Sequence, residues 1–275
     1  MRVVTSAQMA ELDRRAVEQH GLTVATLMAA AGRRVAQVAL DLLAGRLGPV
    51  VVLAGKGHNG GDGLVAAREL RARGIPVRAV LSAPEAEYQG QARRMLEEAR
   101  AAGVEAYDAA ARDIAALLRQ AGLVIDALFG TGFRGPVRGA AAALIEAANA
   151  SGVPILAVDV PSGLDADTGR IDGPCIRAAA TVTMGLPKVG LLVYPGAEAA
   201  GTVYVADIGY PAALADDPTI RTHLVTAAMV REALPPRPPD SHKGTYGRTL
   251  VVAGSVGYTG AAVLAALGAL RAGAG

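Results

Sequence analysis

The sequence predicts an α/β fold, a mainly parallel sheet with helices on both faces, and three observations predict it. Apolar runs of four to eight residues alternate with amphipathic stretches of helical period, which marks βαβ units. Three of those runs end in a polar residue set inside a glycine turn: 50–54 enters GKGHNGGDG, 122–125 enters Asp126 and ALFGTGFRGP, and 153–158 enters Asp159 and VPSGLD. Hydrophobic residues make up 52% of the 275, with 3% aromatics and no Trp, so a large core can form from small Ala, Val, Leu and Ile side chains. Together these specify a Rossmann-like three-layer sandwich. In such a sheet, side chains just past the carboxyl ends of the strands share one crevice, and ligands bind there.

The elements follow in order. Residues 6–19 read as a helix capped by Thr5 or Ser6, and Thr5 with Gln8 matches a capping box. A second helix over 23–44 follows the break at Gly21; Arg33, Arg34 and Asp41 interrupt it, so it is no membrane span, which needs about 20 nearly uncharged residues. Both helices precede the sheet and are expected to cover one face or mediate self-association. Then come strand 50–54, helix 62–73, strand 76–81, helix 86–102, a short strand at 104–107, helix 112–120, strand 122–126, helix 138–149 and strand 153–158, with further strands at 179–184 and 202–206. The character changes over 210–245, where ALPPRPPDSHKGTYG is too proline-rich for a helix or a central strand and reads as a linker. RTLVVAGSVGYTGAAVLAALGALRAGAG then begins a second strand, glycine turn and helix, a loose echo of residues 50–74. Residues 259–275 carry one charge, Arg271, so this helix is expected to be buried all round. A segment of about 30 residues cannot bury a core of its own, so the tail reads as a truncated start of a second α/β domain. The division expected is 1–215 for the main domain, 216–242 for the linker and 243–275 for the incomplete unit.

Net charge is +2, and Lys occurs only at Lys56, Lys188 and Lys243, with no basic run to track a nucleic acid and few aromatics to stack bases. The single Cys175 excludes an internal disulfide framework, fits a reducing compartment and reads as a small buried hydrophobe. The first residues lack the apolar core of a signal peptide. The expectation is a cytoplasmic protein without nucleic-acid or membrane partners. The four His stand apart at 20, 58, 223 and 242, without zinc spacing.

In GKGHNGGDG, Gly55, Gly57 and Gly60 satisfy G-x-G-x-x-G, but strand 76–81 runs into Leu81-Ser82-Ala83-Pro84, and Glu85 comes too late to hold a ribose. No Gly-Lys-Ser/Thr follows, which excludes a P-loop. What remains is a turn that lets backbone approach a ligand, with Asn59 and Asp62 near a helix N-terminus whose amides suit phosphate or ribose oxygens; the competing reading is a tight turn with Asp62 as a cap. In FGTGFRGP, Gly130, Gly132 and Gly135 again permit close approach, and Arg134 is either a bidentate phosphate ligand or a solvated loop charge. Asp159 ends a fully apolar strand, so its carboxylate faces a ligand or a partner, whereas Asp165 and Asp167 read as surface turn residues. Asn59, Asp126 and Ser162 can present oxygens to one ion, and a single carboxylate among neutral oxygens suits a hard cation of low charge rather than zinc. Ser162 follows Pro161 outside any G-x-S-x-G elbow, so no catalytic triad is supported.

NGGDG at 59–63, Asp126-x-x-x-Gly-Thr-Gly-x-x-Gly-Pro, VDVPSG at 158–163 and GLPKVGLL at 185–192 together resemble the YjeF N-terminal family of NAD(P)H-hydrate epimerases, over about residues 1–215 and in the family's order. The departure is His58, where many members have a second Asn. Residues 242–266 separately resemble the beginning of the ADP-dependent NAD(P)H-hydrate dehydratase domain, a ribokinase-like fold commonly fused in this order; without that domain's nucleotide loops, no dehydratase activity is expected. The resemblance implies a homodimer or higher homo-oligomer acting on hydrated NADH or NADPH, NAD(P)HX. His58, Asn59, Gly60, Gly61 and Asp62 would line the dinucleotide with Gly130, Thr131, Gly132, Phe133, Arg134, Gly135 and Pro136. Asp159 would contact the reacting ring, and Asn59, Asp126 and Ser162 would bind potassium. Asp159 is the expected proton-transfer group, and Lys188 a second candidate for proton transfer or phosphate contact, against the plainer reading of a surface lysine.

Three alternatives compete. A small-molecule kinase would need nucleotide loops absent from this sequence. A non-catalytic nucleotide-binding or scaffold module of the same fold would not need Asp159, Asn59 and Asp126. An NAD-dependent dehydrogenase is weakened by the missing acid after strand 76–81.

Overall fold

The computed structural model describes residues 1–110 and 113–275. Among the described residues seven segments form strands: β1 (Val50–Ala54), β2 (Val77–Leu81), β3 (Glu105–Asp108), β4 (Leu123–Ala127), β5 (Ile155–Val158), β6 (Ala180–Met184) and β7 (Thr202–Ala206). They make one sheet in the order β3-β2-β1-β4-β5-β6-β7, parallel throughout. Around them run helices α1 (Ser6–His20), α2 (Val24–Leu43), α3 (His58–Ala72), α4 (Gly90–Ala101), α5 (Ile114–Arg119), α6 (Gly139–Ala150), α7 (Gly196–Ala200) and α8 (Ala212–Ala215). The expected helix over 112–120 begins at Ile114, and its residue 112 lies outside the described residues.

Alternation along β1 sets the layers. Val50, Val52 and Ala54 face one cluster with Val35 and Ala39 of α2, Leu64 and Ala67 of α3 and Leu96 of α4. Val51 and Leu53 face the other, with Leu117 and Leu118 of α5 and Leu144 and Ile145 of α6. The inner strands β1, β4, β5 and β6 are therefore buried on both faces, whereas the edge strands β3 and β7 are partly exposed. The small residues expected of the core let α2 and α3 pack closely: a Cβ on Gly32 would lie 2.5 Å from the Val65 Cβ. Helix α1 closes one edge, where Met9, Leu12 and Ala16 meet Leu186, Leu214 and Ile220. The Thr5–Gln8 capping box is present, Thr5 Oγ1 accepting from the Gln8 amide at 3.2 Å.

Three elements differ from expectation. Helix α3 starts at His58, not 62, because extended Gly57 is its N-cap; Asp62 lies inside the helix and caps nothing. Residues 216–224 are not linker: Ile220 is buried, and the Val3 amide donates to the Thr222 carbonyl at 2.9 Å. The chain divides into compact units at Met1–Leu224 and Val225–Gly275. Within the second unit the proline-rich stretch is preceded by helix α9 (Ala227–Ala233), and α10 (Gly260–Ala272) follows. Residues 248–252 form no strand, since a β-run needs a neighbour to accept its ladder and this unit has no strand among its described residues. Nor is α10 buried all round: Val263, Leu264 and Leu270 are exposed. Among the described residues, no helix is long and apolar enough to cross a membrane.

Candidate active site

The sheet order reverses between β1 and β4, and the chain leaves these strands in opposite directions, opening a crevice at their carboxyl ends. Glycines decide how close its walls come. A Cβ on Gly55 would lie 1.9 Å from the Leu128 carbonyl oxygen, and one on Gly60 would lie 1.7 Å from the Gly55 oxygen. Side chains there would hold the β1 and β4 ends apart and lift the first turn of α3.

Behind that junction sits an oxygen cluster. Asp126, on β4, is fully buried; it accepts from the Ser162 amide at 2.8 Å, Ser162 Oγ at 2.6 Å and the Leu128 amide at 3.2 Å. The Phe129 amide donates to Ser162 Oγ at 2.9 Å, and the Phe129 carbonyl accepts from Asn59 Nδ2 at 2.7 Å. Burial pushes the Asp126 carboxyl up to about 6, against the opposing pull of its Ser162 and Leu128 donors. Among the described residues, no cationic side chain pairs with it. Four residues from three chain segments thus present a buried carboxylate, a hydroxyl, a carbonyl and an amide whose Oδ1 has no partner among the described residues. This set fits a monovalent hard cation. Among the described residues, no three His, Cys, Asp or Glu side chains are placed to share a metal ion.

In front lies a second cluster. Asp159, just past β5, has φ 66°, an uncommon backbone for a side-chain-bearing residue and a frequent mark of functional sites. Its Oδ1 accepts from Lys188 Nζ at 2.5 Å, the Met184 amide at 3.0 Å and Thr183 Oγ1 at 3.2 Å. Lys188 is fully buried, and its ammonium also donates to the Met184 carbonyl at 2.9 Å and Thr183 Oγ1 at 3.1 Å. The surface reading of Lys188 fails, and with all three donors engaged it has none for a phosphate. Its loop is held from the far end of the chain: the Val4 amide donates to the Pro187 carbonyl at 3.0 Å, and the Val189 amide to the Val4 carbonyl at 3.1 Å.

Both clusters border a cavity of about 1080 Å³. Of the predicted residues, His58, Asn59, Asp62, Gly130, Thr131, Gly132, Phe133, Arg134, Asp159 and Lys188 line it. Gly60, Gly61, Gly135 and Pro136 do not; Gly60 and Gly61 serve packing, a Cβ on Gly61 lying 2.7 Å from Met28 Cε. Asp126 and Ser162 stand behind the wall. Arg134 is an exposed loop residue that pairs with Asp167 Oδ2 at 2.8 Å and donates to the Thr131 carbonyl at 2.8 Å.

The structure adds residues that motif reading passed over. Asp13 of α1 accepts a hydrogen bond from Tyr210, and both line the cavity. Burial raises the Asp13 carboxyl, Tyr210 opposing, and raises the Tyr210 phenol, with Asp13 adding. Arg138 also lines the cavity and makes no ion pair. Their signal lay only in amphipathic spacing on α1 and in Arg138's place before α6.

The family model described as YjeF-related protein N-terminus matches residues 24–190. The chain belongs to this family. The bifunctional NAD(P)H-hydrate repair enzyme Nnr of Moorella thermoacetica is 45% identical over 100% of this chain and 53% of its own length. The enzyme of that name from Escherichia coli is 37% identical over 96% of this chain and 50% of its own. The chain thus spans about half the length of these relatives. The NAD(P)H-hydrate epimerase of Rhodopirellula baltica is 38% identical, covering 76% of this chain and 84% of the relative. A crystal structure of yeast ynu0, YNL200c, aligns with TM-score 0.66 at 29% identity over 74% of this chain and 88% of that one.

Proposed function

We propose that the first unit is an NAD(P)H-hydrate epimerase, interconverting the R and S forms of nicotinamide dinucleotides hydrated at ring carbon 6. The observation that carries this reading is the Asp159–Lys188 pair at the wall of a dinucleotide-sized cavity at the sheet's switch point. Its volume stands at the upper end of small-molecule sites, about 300–1,000 Å³.

Carbon 6 bonds both the hydroxyl and the ring nitrogen, so the centre is a hemiaminal. Protonation of the hydroxyl lets the nitrogen lone pair expel water and form a planar iminium; water returning to the other face inverts the centre. Asp159 exchanges a proton with the oxygen on this carbon and stabilises the cation beside it, while Lys188, Thr183 and the Met184 amide fix one of its oxygens and leave Oδ2 as an acceptor. The backbone of 130–132 and unpaired Arg138 suit the pyrophosphate.

Asn59, Asp126, Ser162 and the Phe129 carbonyl would hold potassium, which supplies a fixed positive charge behind the substrate loop. Asn59 Nδ2 already holds the Phe129 carbonyl, and a bound ion would reinforce that hold on the backbone that faces the dinucleotide. A cytoplasmic setting accords with an abundant potassium supply.

The test uses one purified epimer of NADHX or NADPHX, with interconversion followed by chromatography. Catalysed conversion to a mixture of both epimers is expected. A scaffold module would bind the hydrate and leave the epimer ratio at its uncatalysed rate.

A further inference from the structure

Inversion at carbon 6 needs proton handling on both faces of the ring, and Asp159 serves one. Three donors, one an ammonium, converge on its Oδ1, leaving Oδ2 as an acceptor. A second carboxyl borders the same cavity in the opposite circumstances. Asp62, one turn into α3, accepts no hydrogen bond from any described residue; it is half-buried and lines the cavity. It sits within charge-coupling range of Asp13 from α1, Asp159 from the end of β5 and Lys188 from the loop after β6. Asp13 in turn is engaged by Tyr210 and feels His58, so it is not the free group.

The two carboxyls follow β1 and β5, which are separated by β4 alone. Asp62 and Asp159 both border the one cavity, so a ring seated there meets a carboxyl from each segment.

We propose that Asp62 and Asp159 work as a two-carboxyl pair sharing one proton, each serving one face of the hydrated ring. This rests on the epimerase reading. In one direction the Asp62 carboxylic acid gives its proton to the carbon 6 hydroxyl. The C–O bond breaks with its electrons to oxygen, water departs, and the nitrogen lone pair forms the C=N bond. Water adding from the other face uses an oxygen lone pair to make the new C–O bond, the C=N electrons return to nitrogen, and the water's proton passes to Asp159 Oδ2. Transfer of that proton from Asp159 back to Asp62 through solvent restores the start; the other epimer runs the sequence in reverse. Burial holds the Asp62 carboxyl well above the ordinary carboxylate range, the Asp159 and Asp13 charges add to this, and Lys188 opposes it. A shift in that direction suits the donor's role.

The experiment measures interconversion by wild type, Asp62→Asn and Asp62→Glu, with KM, kcat and pH profile. Asp62→Asn should lower kcat by roughly 10²–10⁴ with KM within about threefold, and the alkaline fall of the wild-type rate, where Asp62 loses its proton, should vanish from the residue of activity. Asp62→Glu should keep that alkaline limb. Interconversion by wild type and by Asp62→Asn within about threefold of each other overturns this assignment alone; no interconversion by wild type overturns the epimerase reading with it. Should the Asn variant fail to fold, the wild-type profile decides: a rate flat to about pH 9 contradicts an acid in this role.

Discussion

Asp159 and Lys188 show how a charge comes to be buried. The ammonium has no surface exposure, and three acceptors meet its three donors. Removing one member of such a pair leaves the other uncompensated. Lys188→Met should therefore abolish interconversion and lower stability by up to about 3 kcal/mol, the open cavity beside Asp159 keeping the cost below that of a sealed pair; thermal melts check it. Asp159→Asn should abolish interconversion while dinucleotide binding persists. Asp62 gives a stability prediction of opposite sign. Its carboxyl is raised on folding, so the native state holds a proton the unfolded chain gives up, and stability falls as pH climbs from the unfolded carboxylate range through the folded value. Asp62→Asn removes that loss, so its melting temperature should gain on wild type as pH rises above the ordinary carboxylate range. Cys175 should resist thiol reagents in the native state, since burial, with Asp126 adding, pushes it up to about 12.

At the scale of elements, glycines and loops position the chemistry. Gly60→Ala must move either the first turn of α3 or the β1 end, because backbone oxygen lies 1.7 Å from the new Cβ. The variant should lose about 2 kcal/mol or more, and activity with it, as denaturant titration and the epimer assay will show. The strand ends were legible in advance. Apolar runs of strand length closed by Asp126 and Asp159 are length signals, and a parallel sheet brings such ends together whatever their separation in sequence. The burial of Lys188 was not legible, because it depends on Val4 pairing with the 187–189 backbone from the other end of the chain. Asp13 and Tyr210 were hidden for the same reason: 197 positions separate them, and neither belongs to a motif. The start of α3 was misjudged because His-Asn-Gly-Gly reads as turn sequence, whereas extended Gly57 is an adequate N-cap. Residues 248–252 had strand composition, but composition does not supply the neighbour a strand needs.

Across the whole molecule, one sheet unites the Asn59, Asp126 and Ser162 oxygen cluster, the Asp159–Lys188 pair and a cavity, all in the first unit. A cation held by Asn59, Asp126 and Ser162 would bind the folded state alone, so potassium should raise the melting temperature more than lithium at equal ionic strength, and Asp126→Asn should remove the difference. The central claim is that the cavity interconverts hydrated dinucleotides, and the most direct measurement starts from a single epimer of NADHX in potassium buffer and follows both epimers by chromatography. Rapid approach to the equilibrium ratio, lost in Asp159→Asn, is the predicted result; a ratio that drifts no faster with the protein than without it would contradict the account.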